Sequence, residues 1–308
     1  MKIFVTGATG VIGKRIVPLL VQRGHRVTGV SRSPRKSSEL ARAGAEAVQV
    51  DLFDLDAVRA AVKGHDAVIN LATSIPPSSK VFLPWAWRTN NKIRRYVSAN
   101  VSAAATQTGV ERLLQESFAP IYADGGDQWI TETSPVKPVR YNRTVLDAER
   151  AASNFSASGR AGIILRFAGF YGPDSDFASD QIDLVRKGWA PVLGSPDGYI
   201  PLVSHDDAAR AVVQLLNAPA GTYNVVDDDP LTKRECYLSL ARVLRVDPPR
   251  FPPAWIFHLL GSLGELLSRS QRISNQKLRS FGWAPKYPSA REGWKAVVAD
   301  LPHVTHRS

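Results

Sequence analysis

A chain of 308 residues with 44% hydrophobic and 22% charged residues is long enough to bury a sizeable core and too apolar to stay unfolded. Its single cysteine, Cys236, excludes an intrachain disulfide and suits a reducing, cytoplasmic compartment. The net charge of +11 raises nucleic acid as a partner, but the charges are dispersed. The two basic clusters, 32–36 and 88–95, lack the interleaved aromatics of a nucleic-acid groove. No export signal precedes the first strand, and the longest apolar run, around Trp255 to Leu267, is broken by His258, Gly261, Gly264 and Glu265. Neither nucleic acid nor a membrane is therefore expected as a partner.

Residues 3–5 read as a buried strand running into Gly7, Gly10 and Gly13, with a helix from about Val11 to Gln22. Gly7 can make the tight turn, Gly10 lets backbone N–H groups approach a pyrophosphate, and Gly13 lets helix and strand pack closely. The pyrophosphate would sit on the helix N-terminus, beside Thr9, Val11 and Ile12. Pro18 should bend this helix. Strand two is Arg26–Val30, and the residues after it set the dinucleotide. An acid there accepts from a ribose 2′-OH, whereas a 2′-phosphate needs cations. The segment reads Ser31-Arg32-Ser33-Pro34-Arg35-Lys36. Ser31, Arg32 and Arg35 are assigned to the phosphate, so NADP(H) is preferred over NAD(H); the alternative is a solvated basic turn.

A helix over Ser38–Ala43 leads to strand three, Ala47–Val50, and then to Asp51-Leu52, placed to meet an adenine or to cap the next helix near Leu55. Strand four, Ala67–Leu71, is followed by Ala72 and Thr73; with Leu71 these would lie under the cofactor ribose. A loop from Ser74 to Trp87 precedes a helix over about Thr89–Thr108, with Asn90 near its start as a further cofactor contact. Strand five, Glu111–Gln115, ends in Glu116-Ser117. A second long helix is expected to carry Tyr141 near its start, and strand six, Gly162–Arg166, delivers Phe167 and Ala168. The strand–helix rhythm argues for an α/β, doubly wound parallel sheet. Residues 1–175, with 204–226 returning, form the nucleotide-binding domain; 176–203 and 227–308 form a smaller C-terminal lobe for substrate.

Thr6-Gly-Ala-Thr-Gly-Val-Ile-Gly13, Asp51-Leu52, Leu71-Ala72, Ser117, Tyr141, Arg166-Phe-Ala-Gly-Phe-Tyr-Gly-Pro173, His205-Asp-Asp-Ala-Ala209, Tyr223-Asn-Val-Val-Asp227 and Phe281-Gly-Trp283 together resemble the extended short-chain dehydrogenase/reductase superfamily, NAD(P)-dependent epimerase/dehydratase group. The resemblance implies a Rossmann domain, a small-molecule substrate and a homodimer joined through the two long helices. It also implies a Tyr acid/base, a Ser or Thr that polarises the substrate oxygen, and a Lys four residues after the Tyr. Tyr141 and Ser117 are the catalytic pair on this basis. Valine, Val145, stands where the lysine should be. Three readings follow: Arg140 or Arg143 supplies the charge, an oxidised nicotinamide lowers the Tyr pKa by itself, or the chemistry is lost and a non-catalytic NADP(H)-binding sensor or scaffold remains. Phe118 occupies the usual Ser interval before Tyr122. Gly169, where sugar-nucleotide enzymes carry Asn, together with Trp85, Trp87, Trp189 and Trp255, points to a less polar substrate or to core tryptophans. The histidines have no metal-ligand spacing, so no metal is expected. Asp206 and Asp207 read as helix caps and Cys236 as a packed thiol. The function expected is NADP(H)-dependent hydride transfer at a carbonyl or secondary alcohol.

Overall fold

Ile3 and Val5 face one side of β1 (Lys2–Thr6) and Phe4 the other, and all three are fully buried. Such a strand belongs in the middle of a sheet covered on both faces. The computed structural model describes residues 1–253 and 259–300 and places β1 there. Six further strands follow: β2 (Arg26–Val30), β3 (Glu46–Val48), β4 (Ala67–Asn70), β5 (Arg112–Phe118), β6 (Ala161–Phe167) and β7 (Gly221–Val225). All pair in parallel, in the order β7-β6-β5-β4-β1-β2-β3. Strand order reverses between β1 and β4, which opens a crevice at their C-terminal ends.

Helices α1 (Gly13–Gln22), α2 (Pro34–Arg42) and α3 (Leu55–Val62) alternate with the first strands. Between β4 and β5, α4 (Arg88–Lys92) passes through one π-helical turn, Ile93–Val97, into α5 (Ser98–Gln107). The α6 helix (Val145–Ala157) packs against α5, which packs against α3, on the Phe4 face. On the other face α1 packs against α8 (His205–Gln214), which follows α7 (Asp176–Arg186) in the chain. A second core gathers Ile182 and Val185 of α7, Tyr237 and Leu240 of α9 (Lys233–Leu244), and Trp294 and Val297 further on. Cys236 is buried in this core, and burial pushes its thiol up to about 12. Among the described residues no helix is long and apolar enough to cross a membrane.

Several boundaries differ from expectation for local reasons. The second helix starts at Pro34, because Ser33 caps it and proline suits a first helical position. Arg35 and Lys36 are thus helical. Asp54, not Asp51, caps α3, its Oδ1 accepting from Asp56 and Ala57 N–H. Ser204 caps α8; Asp207 instead accepts from the Ser204 hydroxyl and from Lys286 and Tyr287 N–H, tying the C-terminal segment to α8. Strand β5 runs three residues further than expected, and Tyr141 lies in the turns before α6 rather than on it.

Candidate active site

Gly7 has φ +64°, and a Cβ there would meet Leu71 O at 2.4 Å, so the loop lies directly against the end of β4. A Cβ on Gly13 would meet Gly7 O at 2.1 Å, which fixes α1 close under the same turn. The Gly10 N–H donates to Gly7 O at 2.9 Å, and a Cβ at Gly10 would touch only that oxygen, at 3.2 Å, leaving its outer side open. Two glycines are thus required by packing and the third leaves room for an anion over the start of α1. This is the cradle a dinucleotide pyrophosphate needs.

The loop opens into a cavity of about 280 Å³. It gathers Gly7, Gly10, Val11, Ile12, Gly13, Leu71, Thr73, Ser117, Tyr141, Phe167 and Ala168 of the expected residues, and adds Ile75, Trp87, Arg94, Glu116, Phe118, Gly169 and Phe170. Trp87 is buried and meets the Tyr141 ring edge-on with 4.4 Å between centroids. Trp85 and Trp189 are exposed, and Trp255 lies outside the described residues. Val145 is fully buried, and Arg140 and Arg143 are exposed and do not line the cavity. The cation facing Tyr141 is instead Arg94, from the π turn. Burial pushes the Tyr141 phenol well above its ordinary value, and Arg94 pulls it only partly back. Its hydroxyl makes no hydrogen bond among the described residues.

Ser117 is differently engaged. It lies within β5, opposite Arg166 on β6, and its hydroxyl donates to Glu149 Oε1 of α6 at 2.6 Å. Glu149 takes Arg166 Nε and Nη2, each at 2.8 Å, while Arg166 Nη1 donates to the Tyr122 oxygen at 2.7 Å and Tyr122 donates to Asn224 on β7 at 2.8 Å. The chain of bonds locks β5, β6, β7 and α6 beneath the cavity. Ser117 has one proton, and Glu149 has it.

The remaining expected cofactor contacts do not line the cavity. Arg32 is exposed just past β2 with no partner among the described residues, and Arg35 pairs with Glu39 of its own helix at 3.1 Å. Ser31 is buried and shares a 2.6 Å hydrogen bond with Ser37. Asp51 is exposed and accepts from Phe53 N–H at 2.9 Å, beside the partly buried Leu52. Thr9 and Ala72 are partly buried in their loops. Asn90 is fully buried and accepts from Ser74 N–H at 2.9 Å, holding the loop at the cavity mouth. Arg94 and Glu116, joined at 2.9 Å, were not singled out from the sequence. The available signal was spacing: Arg94 stands three and seven residues before Val97 and Val101, on the buried side of the helix.

A sequence profile described as the NAD dependent epimerase/dehydratase family matches residues 3–226. The chain belongs to this family. Among epimerase/dehydratase relatives, a 3-diazoavenalumate denitrifying reductase of Streptomyces sp is 30% identical, with 95% of this chain and 99% of that protein covered. A 2-alkyl-3-oxoalkanoate reductase of Shewanella oneidensis is 27% identical over 89% of this chain and 73% of its own length. The structure of a Thermus thermophilus UDP-glucose 4-epimerase complex with NAD superposes with a TM-score of 0.77 at 26% identity, covering 97% of this chain and 98% of that one. As an epimerase/dehydratase family member with reductase relatives, the protein is an NAD(P)-dependent oxidoreductase or epimerase.

Proposed function

We propose that this protein is an NADP(H)-dependent reductase of a small, largely apolar carbonyl compound held against Trp87, Phe118 and Phe170. The observation that carries this reading is Tyr141: an unbonded phenol, kept neutral by burial, in an apolar cavity at the mouth of the glycine loop. A phenol held above its ordinary pKa of about 10 is protonated at neutral pH. It can donate a hydrogen bond to a carbonyl oxygen and give up its proton as that oxygen becomes an alkoxide. It is poorly placed to take a proton from an alcohol, and the names of the two relatives, both reductases, favour the same direction. The dinucleotide, when bound, supplies the hydride. Gly7, Gly10 and Gly13 would hold its pyrophosphate, Asp51 its adenine and Arg32 its 2′-phosphate, and Phe167 and Ala168 would wall the nicotinamide end. Ser117 acts as a positioning residue through Glu149, and Tyr141 alone of the expected pair touches substrate.

On the same footing we propose a homodimer through α5 and α6, whose outer faces carry Ala99, Ser102, Ala103 and Ala151 along a shared groove. The lobe formed by 176–203 and 227–308 would cover the substrate, and the single buried thiol suits a cytoplasmic location. Titration with NADPH and NADH, followed by a panel of ketones and aldehydes, tests the central reading. NADPH oxidation by a panel member, abolished in Tyr141→Phe with NADPH binding retained, is the expected result. Unchanged turnover in Tyr141→Phe would remove Tyr141 from the mechanism.

A further inference from the structure

Two buried Arg–Glu pairs stand on neighbouring elements of this protein, and they are built differently. In the Arg166–Glu149 pair three guanidinium nitrogens and both carboxylate oxygens are bonded, as burial of charge demands. In the Arg94–Glu116 pair only Nη2 and Oε1 are engaged, at 2.9 Å, while Arg94 Nε and Glu116 Oε2 have no partner. The Arg94 and Glu116 side chains are only 6% and 13% exposed, so little bulk solvent surrounds the pair. They are also the only charged side chains lining the cavity among the described residues. Arg94 sits on the single π turn of the α4–α5 stretch, an irregularity that recurs at functional sites. An unpaired donor and an unpaired acceptor, on the two charged residues of an otherwise apolar aromatic pocket, are wasted in a structural pair and useful to a ligand.

We propose that Arg94 and Glu116 form a ligand-binding pair that selects a flat aromatic carbonyl substrate bearing a neutral hydroxyl, and that rejects a carboxylate at the same place. A hydroxyl can accept from the guanidinium and donate to the carboxylate at once. A substrate carboxylate would have to share Arg94 while facing Glu116, a like charge in an otherwise apolar cavity. This assignment rests on the reductase reading for the carbonyl, and on the pair alone for the hydroxyl. A hydrogen bond to a charged group corresponds to about tenfold or more in affinity.

Calorimetric titration of the NADP+-loaded protein with acetophenone, its three ring-hydroxy isomers and the three acetylbenzoate isomers tests the proposal. The best hydroxy isomer is expected to bind at least about tenfold tighter than acetophenone, and every acetylbenzoate weaker than acetophenone. In Glu116→Gln the hydroxyl preference should shrink and an acetylbenzoate should gain, because Arg94 is left without its counter-charge. If Glu116→Gln does not fold, the wild-type series still decides. Binding of all compounds within threefold, preference for a carboxylate in the wild type, or binding of none would each overturn the proposal. In a parallel assay with NADPH as the reductant, turnover of acetophenone without hydroxyl preference would sink the pair's role and leave the reductase reading. Hydroxyl preference without any carbonyl reduction would do the reverse.

Discussion

Replacing Ser117 by alanine separates a role in positioning from one in chemistry. The hydroxyl makes one 2.6 Å bond, to Glu149 Oε1. Its loss leaves that carboxylate with both bonds from Arg166, so no charge is stranded. The expected cost is that of one hydrogen bond to a charged group, about 1.5–3 kcal/mol. It should appear as a lower urea midpoint with an unchanged slope. Because that proton already belongs to Glu149, kcat/KM for the reduced carbonyl compound should fall by no more than a few fold. A side chain that polarised the substrate oxygen would behave in the opposite way, with a loss of about 10²–10³ in rate and little change in stability. A loss of that size at an unchanged midpoint would refute the positioning role and return Ser117 to the catalytic set.

Arg32→Ala is expected to weaken NADPH by tenfold or more and NADH hardly at all, since only the 2′-phosphate distinguishes them; equal losses in paired titrations would remove Arg32 from the cofactor site. Gly13→Ala places a methyl 2.1 Å from Gly7 O, so α1 must retreat from the loop; both thermal stability and NADPH affinity should drop, and retention of both would show the helix end to be more yielding than its packing indicates. His205 is held at about 4, below its ordinary 6.5, by burial and by Arg15, against the opposing pull of Asp174. Its neutral form is therefore favoured by folding, and stability is full above about 6.5 and is lost as pH falls toward 4. At about 1.36 kcal/mol per pH unit this amounts to about 3 kcal/mol. Urea midpoints at pH 7 and pH 4.5 should show the fall, and His205→Gln should flatten it; an identical slope in the variant would assign the loss to other groups.

The strand–helix alternation, the glycine loop and the edges of β2 were legible because each rests on local signals: buried apolar runs, glycines and helix stops. The Thr232 cap of α9 is local in the same way, being a reciprocal bond with Glu235 within one turn. What was not legible is tertiary. The extension of β5 through Phe118 depends on β6 lying beside it to take the bonds, and polar Glu116-Ser117 does not read as strand without that neighbour. Glu149 reads as a surface residue of an amphipathic helix until Arg166 is brought to it. Arg94 was hidden within a basic run, where a cation reads as solvent-facing whatever its spacing to Val97 and Val101.

The consequence for substrate class follows from which side chains face the cavity. Where the family resemblance calls for a lysine beside the tyrosine, Val145 is fully buried, and Phe118 presents a ring where a hydroxyl would stand. With the Ser117 proton taken by Glu149, the charged and polar side chains left to a substrate are then Tyr141, the Arg94–Glu116 pair and Thr73. A nucleotide sugar brings a diphosphate and several hydroxyls, and each of these left unbonded against Trp87, Phe118 and Phe170 costs a few kcal/mol. Likeness of fold to UDP-glucose 4-epimerase therefore does not carry likeness of substrate. A substrate with one carbonyl for Tyr141, one hydroxyl for the ion pair and an aromatic body between them would meet both of these groups and bring no further polar group to bury.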